Sequence, residues 1–115
     1  MESRRELIAK TLDILTDLAQ RHETISYGDL LNRLGITGER RPIGQIAARY
    51  LDPVAVYCIA VGVPPLTVLV VNGPKSSKPG QPGSGFFVWF DDAKAARELV
   101  ENHDWDSFPP PPFPI

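Results

Sequence analysis

The stretch from Ile25 to Leu51 constrains the fold of this chain more than any other. Two short apolar-periodic segments flank a tight turn, a pattern that predicts two helices joined closely in space. Ser26 stands as an N-cap before a helix over Tyr27–Leu34, with Asp29 three residues on and Gly35 just past the end. Leu30, Leu31 and Leu34 supply its buried face, and Thr37 with Gly38 makes the turn. The next helix starts between Glu39 and Pro42, because first-turn amides need no intrahelical acceptor and so tolerate proline. Ile43, Ile46, Ala47, Tyr50 and Leu51 then fall on one apolar face.

The rest of the chain supplies what this pair packs against. Ser3 and Glu6 have capping-box spacing, and Leu7, Ile8, Leu12, Leu15, Leu18 and Ala19 recur at helical period, which predicts an amphipathic helix over 4–21. Asp52-Pro53 reads as a cap and first helical position, opening a separate short helix that Gly62 stops. The β-branched residues of 54–61 argue for a strand there instead. Residues 66–71, a continuous apolar run, predict a buried strand, with 86–90 as its antiparallel partner. The glycine- and proline-rich residues between them predict a long, mobile, exposed loop. Asp91 or Asp92 caps a last helix through Glu101, with Ala93, Ala96, Leu99 and Val100 facing inward. Trp105 and Phe108 read as anchors for the chain end, and the final prolines exclude helix and sheet pairing. The expected fold is α+β, a winged helix-turn-helix with a two-stranded wing and a C-terminal helix over residues 1–106, then a proline-rich tail over 107–115.

At 115 residues the chain is long enough for one core without staples. Its single cysteine, Cys58, rules out an internal disulfide and fits a reducing compartment. No apolar run approaches the ~20 residues of a membrane span. The charged N-terminus has no signal-peptide core, so a cytoplasmic location is expected.

Charge points to a partner class. The net charge of −2 argues mildly against nucleic acid, but its distribution is uneven. Residues 33–90 carry Arg33, Arg40, Arg41, Arg49, Lys75 and Lys78 against Glu39 and Asp52, while both ends are acidic. Arg41, Gln45 and Arg49 fall at i, i+4 and i+8, a polar stripe of side chains able to read base edges or hold phosphate. The same stripe also suits the solvated face of any amphipathic helix. Lys75 and Lys78 would add phosphate contacts from a wing, or simply keep the loop soluble.

Tyr27, Arg41 and Cys58 lie 14 and then 17 residues apart. This spacing resembles the DNA-binding domain of alkylguanine-DNA alkyltransferases and alkyltransferase-like proteins over roughly residues 14–58. That family carries a tyrosine at the start of a helix and an arginine that enters the base stack. The resemblance implies that Tyr27 contacts or rotates a phosphate and that Arg41 enters the duplex. The family's reactive cysteine sits in a Pro-Cys-His-Arg segment, whereas Cys58 lies between Tyr57 and Ile59. A thiol in an apolar run is inert, so alkyl transfer is not expected and Cys58 reads as a buried structural residue. Residues 25–90 also resemble small bacterial domains of unknown function found alone or beside predicted restriction-type nucleases. That second resemblance implies a restriction or other defence setting.

Nothing in the sequence reads as an enzyme. Gly73-Pro74-Lys75-Ser76 lacks the spacing of a phosphate-binding loop, His22 and His103 stand far apart, and no nucleophile elbow or paired-carboxylate motif occurs. No cofactor or metal is expected. The resulting expectation is a non-enzymatic binder of double-stranded DNA through Tyr27, Arg40, Arg41, Gln45, Arg49, Lys75 and Lys78. The alternative is a protein-interaction module, such as a phage-encoded or immunity-type inhibitor, using the tail or wing. A degenerate sensor of alkylated DNA is a third reading. The tail itself, Pro109 to Pro112 followed by Phe113, suits an aromatic groove or packs back on the domain.

Overall fold

A computed structural model describes residues 2–37 and 41–114. The elements in chain order are α1 (Arg4–Arg21), β1 (Ile25–Ser26), α2 (Tyr27–Arg33), α3 (Ile43–Val61), β2 (Val70–Val71) and α4 (Ala93–Asn102). Single 3-10 turns cover Leu66–Leu69 and Ser84–Val88. The fold is helix-rich with one small parallel sheet, in which Ile25 pairs with Val70 and Ser26 with Val71. No described helix is long and apolar enough to cross a membrane.

The caps form where the side chains permit them. Ser3 accepts from the Glu6 amide while Glu6 accepts from the Ser3 amide, so α1 opens on a complete capping box. Ser26 accepts from the Asp29 amide at the start of α2. At the end of α2, Gly35 adopts φ 76°, and the amides of Gly35 and Ile36 turn back to Asn32 and Leu31. A residue with a Cβ is strained there, which explains the glycine.

Three of the expected elements differ. The run 66–71 is not one strand. The sheet offers β2 only the two residues of β1, so the buried amides of Val68 and Val70 instead bond back to Pro65 and Thr67. Residues 86–90 form no antiparallel partner. Their amides close short turns onto Gly83 and Phe86, and only Phe86 is buried. The two-stranded wing over these segments is therefore not formed. The loop between them is exposed, as expected, but is closed by its own bonds: Asn72 and Gln81 pair through an amide and a carbonyl 2.7 Å apart, and Gly80 donates to the Asn72 carbonyl.

The third difference is Asp52-Pro53, which starts no new helix. Residues 43–61 form one 19-residue helix with Pro53 inside it. A proline there removes the donor for the carbonyl of Arg49, four residues back. The guanidinium of Arg4 donates to that carbonyl at 3.3 Å, so a side chain from α1 supplies the missing bond. The β-branched content did not decide the segment, because one face of it, Val54, Ala55 and Cys58, is buried at helical spacing.

The core is built on Leu12, Leu15 and Leu18 of α1, Val54 and Cys58 of α3, and Leu66, Leu69 and Val70 of the central run. Trp105 is buried and donates to the Val100 carbonyl, so it anchors the chain end as expected. Leu99 and Phe108 do not face inward: they are 58% and 68% exposed. Phe108 lies past a turn in which its amide bonds the Asp104 carbonyl, and this points its ring away from the core.

Replacing Pro53 by alanine restores a backbone donor to a carbonyl that Arg4 now serves, so Pro53→Ala is expected to stabilise the fold by about 1–2 kcal/mol. Chemical denaturation checks this; a loss of stability would show that Pro53 is held by packing the helix needs.

Candidate functional site

A groove of about 980 Å³ opens where α2, α3 and the long loop meet. One wall is the start of α2, Ser26 to Gly28; the second is the start of α3, Pro42 to Gln45; the third is loop residues Asn72 to Ser76 and Gly83 to Gly85. Leu51, Ala55, Phe86 and Trp89 make much of its surface apolar. Tyr27 holds the groove in shape. Its half-buried phenol oxygen accepts from the Gly83 amide at 2.7 Å, tying the helix pair to the far end of the loop. Burial pushes the phenol above its ordinary pKa, and the Gly83 bond acts the other way. A Cβ at Gly83 would lie 2.9 Å from the Tyr27 oxygen, so the loop can approach this closely only through a glycine.

The start of α3 carries no side-chain cap. Pro42 is the N-cap, and its carbonyl accepts from the amides of both Gln45 and Ile46. The amides of Ile43 and Gly44 have no backbone acceptor among the described residues, and the space beside Gly44 is open. Such an end attracts an anion, since the helix dipole and the unpaired N–H groups point the same way. Lys75 lies on the facing loop wall.

The structure brings Tyr27, Gln45 and Lys75 to this one groove. Arg41 is exposed, immediately before Pro42 at the groove's edge. It is not on α3, which begins at Ile43, because a residue preceding proline is driven out of the helical region. The expected Arg41–Gln45–Arg49 stripe is therefore reduced to Gln45 and Arg49, one turn apart. Arg49 is half-buried and lines a neighbouring groove, which shares Gln45, Ala48 and Asp52 of α3 with the first. Lys78 is exposed outside the groove, with its carbonyl accepting from the Asn72 side chain. Arg40 lies outside the described residues.

Two contributors escaped sequence reasoning. Trp89 donates to Asp52 at 3.1 Å, joining the 84–88 turn to α3, whereas Asp52 had read as a helix cap. Thr67 lines the groove, and its buried hydroxyl has no partner among the described residues. It sits in an apolar run where periodicity marks only burial.

Cys58 is fully buried, and burial pushes its thiol up, with a backbone bond from Leu66 partly offsetting this. It is a buried free cysteine, as expected. Among the described residues no group of three or more histidines, cysteines and carboxylates gathers as for a metal. Comparison with protein-family models, curated proteins and solved structures finds no match for this chain.

In the native protein Cys58 should resist a thiol reagent at mildly alkaline pH and react stoichiometrically once unfolded. Rapid reaction in the folded state would overturn its assignment as a core residue. Tyr27→Phe removes the acceptor of the Gly83 amide and should cost about 1 kcal/mol, with faster proteolysis of the 73–83 loop. Unchanged proteolysis would mean that the loop is held elsewhere.

Proposed function

We propose that this chain is a non-enzymatic DNA-binding domain that meets the duplex with the start of α3 and the facing loop. The observation that carries the reading is the convergence of Tyr27, Gln45 and Lys75 on one groove at the uncapped end of α3. The amides of Ile43 and Gly44, which have no backbone acceptor among the described residues, suit a phosphate, and Lys75 adds charge from across the groove. A phenol that accepts one bond keeps a proton to donate, so Tyr27 can both hold the loop and contact phosphate. Arg41, at the groove's edge, is placed to follow the phosphate line or enter a groove of the duplex. In this reading the helix pair α2 and α3 and the folded loop 72–85 do the work that a helix-turn-helix and wing would do. A restriction or other defence setting is proposed on the resemblance to small bacterial domains alone.

A protein partner is the second reading. It is favoured by Ile43, Val88 and Trp89, which are 51%, 73% and 38% exposed around the same groove. Large apolar side chains exposed together mark partner surfaces more often than DNA surfaces.

Three phosphate contacts would make duplex binding weaken about 40-fold between about 50 and about 200 mM salt. Arg41→Ala and Lys75→Ala should each lower the steepness of the log–log salt plot by about 0.9. Fluorescence anisotropy with a labelled duplex measures both. Absence of salt-dependent binding by the wild-type chain would overturn the DNA reading. A partner captured by the wild type and lost with Val88→Glu would then support the protein one.

A further inference from the structure

The flank of α3 next to the groove of the DNA reading, which shares Gln45, Ala48 and Asp52 with it, holds the chain's own tail. Tyr57 donates its hydroxyl to the carbonyls of Pro111 and Pro112, at 2.9 and 3.0 Å. The Phe113 ring stands edge-on to Tyr57 with centroids 5.3 Å apart. An aromatic hydroxyl on consecutive prolyl carbonyls, beside an aromatic packing position, is the chemistry by which grooves hold polyproline II segments. Such a segment has unpaired carbonyls and little conformational entropy left to lose.

The tail is a minimal occupant. Residues 111, 112 and 114 are exposed, and Phe113 is only half-buried. Beyond Phe108 no backbone bond between the tail and the rest of the chain occurs among the described residues. Beside Phe113 a groove of about 620 Å³ stays open, with Arg4, Arg49, Gln45 and Val56 in its lining and one carboxylate, Asp52, whose Oδ1 accepts from Trp89. Neither Arg4 nor Arg49 is in an ion pair among the described residues. Residues 107–114 carry no charged side chain to meet them. Among the described residues the site therefore has room and charge that the tail does not use.

We propose that the Tyr57 groove is a binding site for a proline-rich segment of another protein. The segment would be in polyproline II form, with an aromatic residue in the place of Phe113 and an acidic residue reaching Arg4 and Arg49. The chain's own tail is the placeholder that this segment displaces. Tethering gives the tail a high effective concentration, so the incoming segment succeeds through the contacts the tail lacks. The site shares Gln45, Ala48 and Asp52 with the groove of the DNA reading, but it rests on Tyr57 and the tail alone.

The test uses the full chain and two labelled peptides, Phe-Pro-Pro-Pro-Pro-Phe-Pro and the same sequence extended by two aspartates. Phe113→Ala frees the groove at the surface, and circular dichroism verifies the fold. By anisotropy this variant should bind the acidic peptide about 10-fold more tightly than the wild type does, because the competing tail is loosened. It should also prefer the acidic to the neutral peptide about fivefold, and adding Tyr57→Phe should weaken binding about fivefold. The proposal is overturned by equal binding to wild type and Phe113→Ala, by indifference to Tyr57→Phe, or by no binding to Phe113→Ala. A wild-type dimer in light scattering that Phe113→Ala dissociates would also overturn it, by assigning the groove to the tail of a second copy.

Discussion

Everything in this fold leans on the buried run from Leu66 to Val71. Each of its six residues is buried, and α1, α3 and α4 all pack against its first turn. Burying six consecutive residues removes their amides and carbonyls from water, so each group needs a partner inside the protein. Two residues find theirs in β1, which fixes the entry to α2; others find theirs in the preceding 3-10 turn. The run thus sets where the helix pair begins and where the long loop leaves. Its apolar burial stabilises the fold, at roughly 25 cal/mol for each Å² of apolar surface removed from water.

The groove follows from that constraint. Asn72 leaves the buried run directly and closes the loop through Gln81 and Lys78, while Tyr27 fixes the loop's far end through Gly83. Trp89 then ties the following turn to Asp52 on α3. Bonds within the fourteen-residue loop 72–85 close it, the Tyr27–Gly83 bond ties it to α2, and Trp89 just beyond it is tied to α3. The electrostatic consequence is a positive helix end and Lys75 facing one another in a chain whose termini are acidic.

Helix ends were legible in the sequence because caps are local. Ser3 with Glu6, Ser26 with Asp29, Gly35 and Gly62 each act within a few residues of themselves. Strand against 3-10 turn was not legible at 66–71, because an unbroken apolar run reports burial and nothing about the length of its partner. The aromatic residues of 86–90 raised strand propensity, yet no strand edge reaches them, and only Phe86 enters the core. Pro53 misled because its compensation, the Arg4 guanidinium, comes from 45 residues away in sequence. Of the expected site, Tyr27, Gln45 and Lys75 converge, but Arg49 turns to the neighbouring groove. Helical spacing from Arg41 was counted through a proline that begins the helix later.

Two neighbouring grooves along α3 thus differ in lining: one at the helix start faces Lys75, and one running to Tyr57 holds the proline tail. The central claim, that the first of these meets nucleic acid, is tested most directly by residue-resolved NMR. The full chain is titrated with a short duplex at low salt and the backbone amides are followed. Shifts should concentrate at Gly28, Ile43, Gly44, Gln45, Lys75 and Ser76, and should collapse when salt is raised. Shifts absent from these amides, or confined to α4 and the tail, would contradict it.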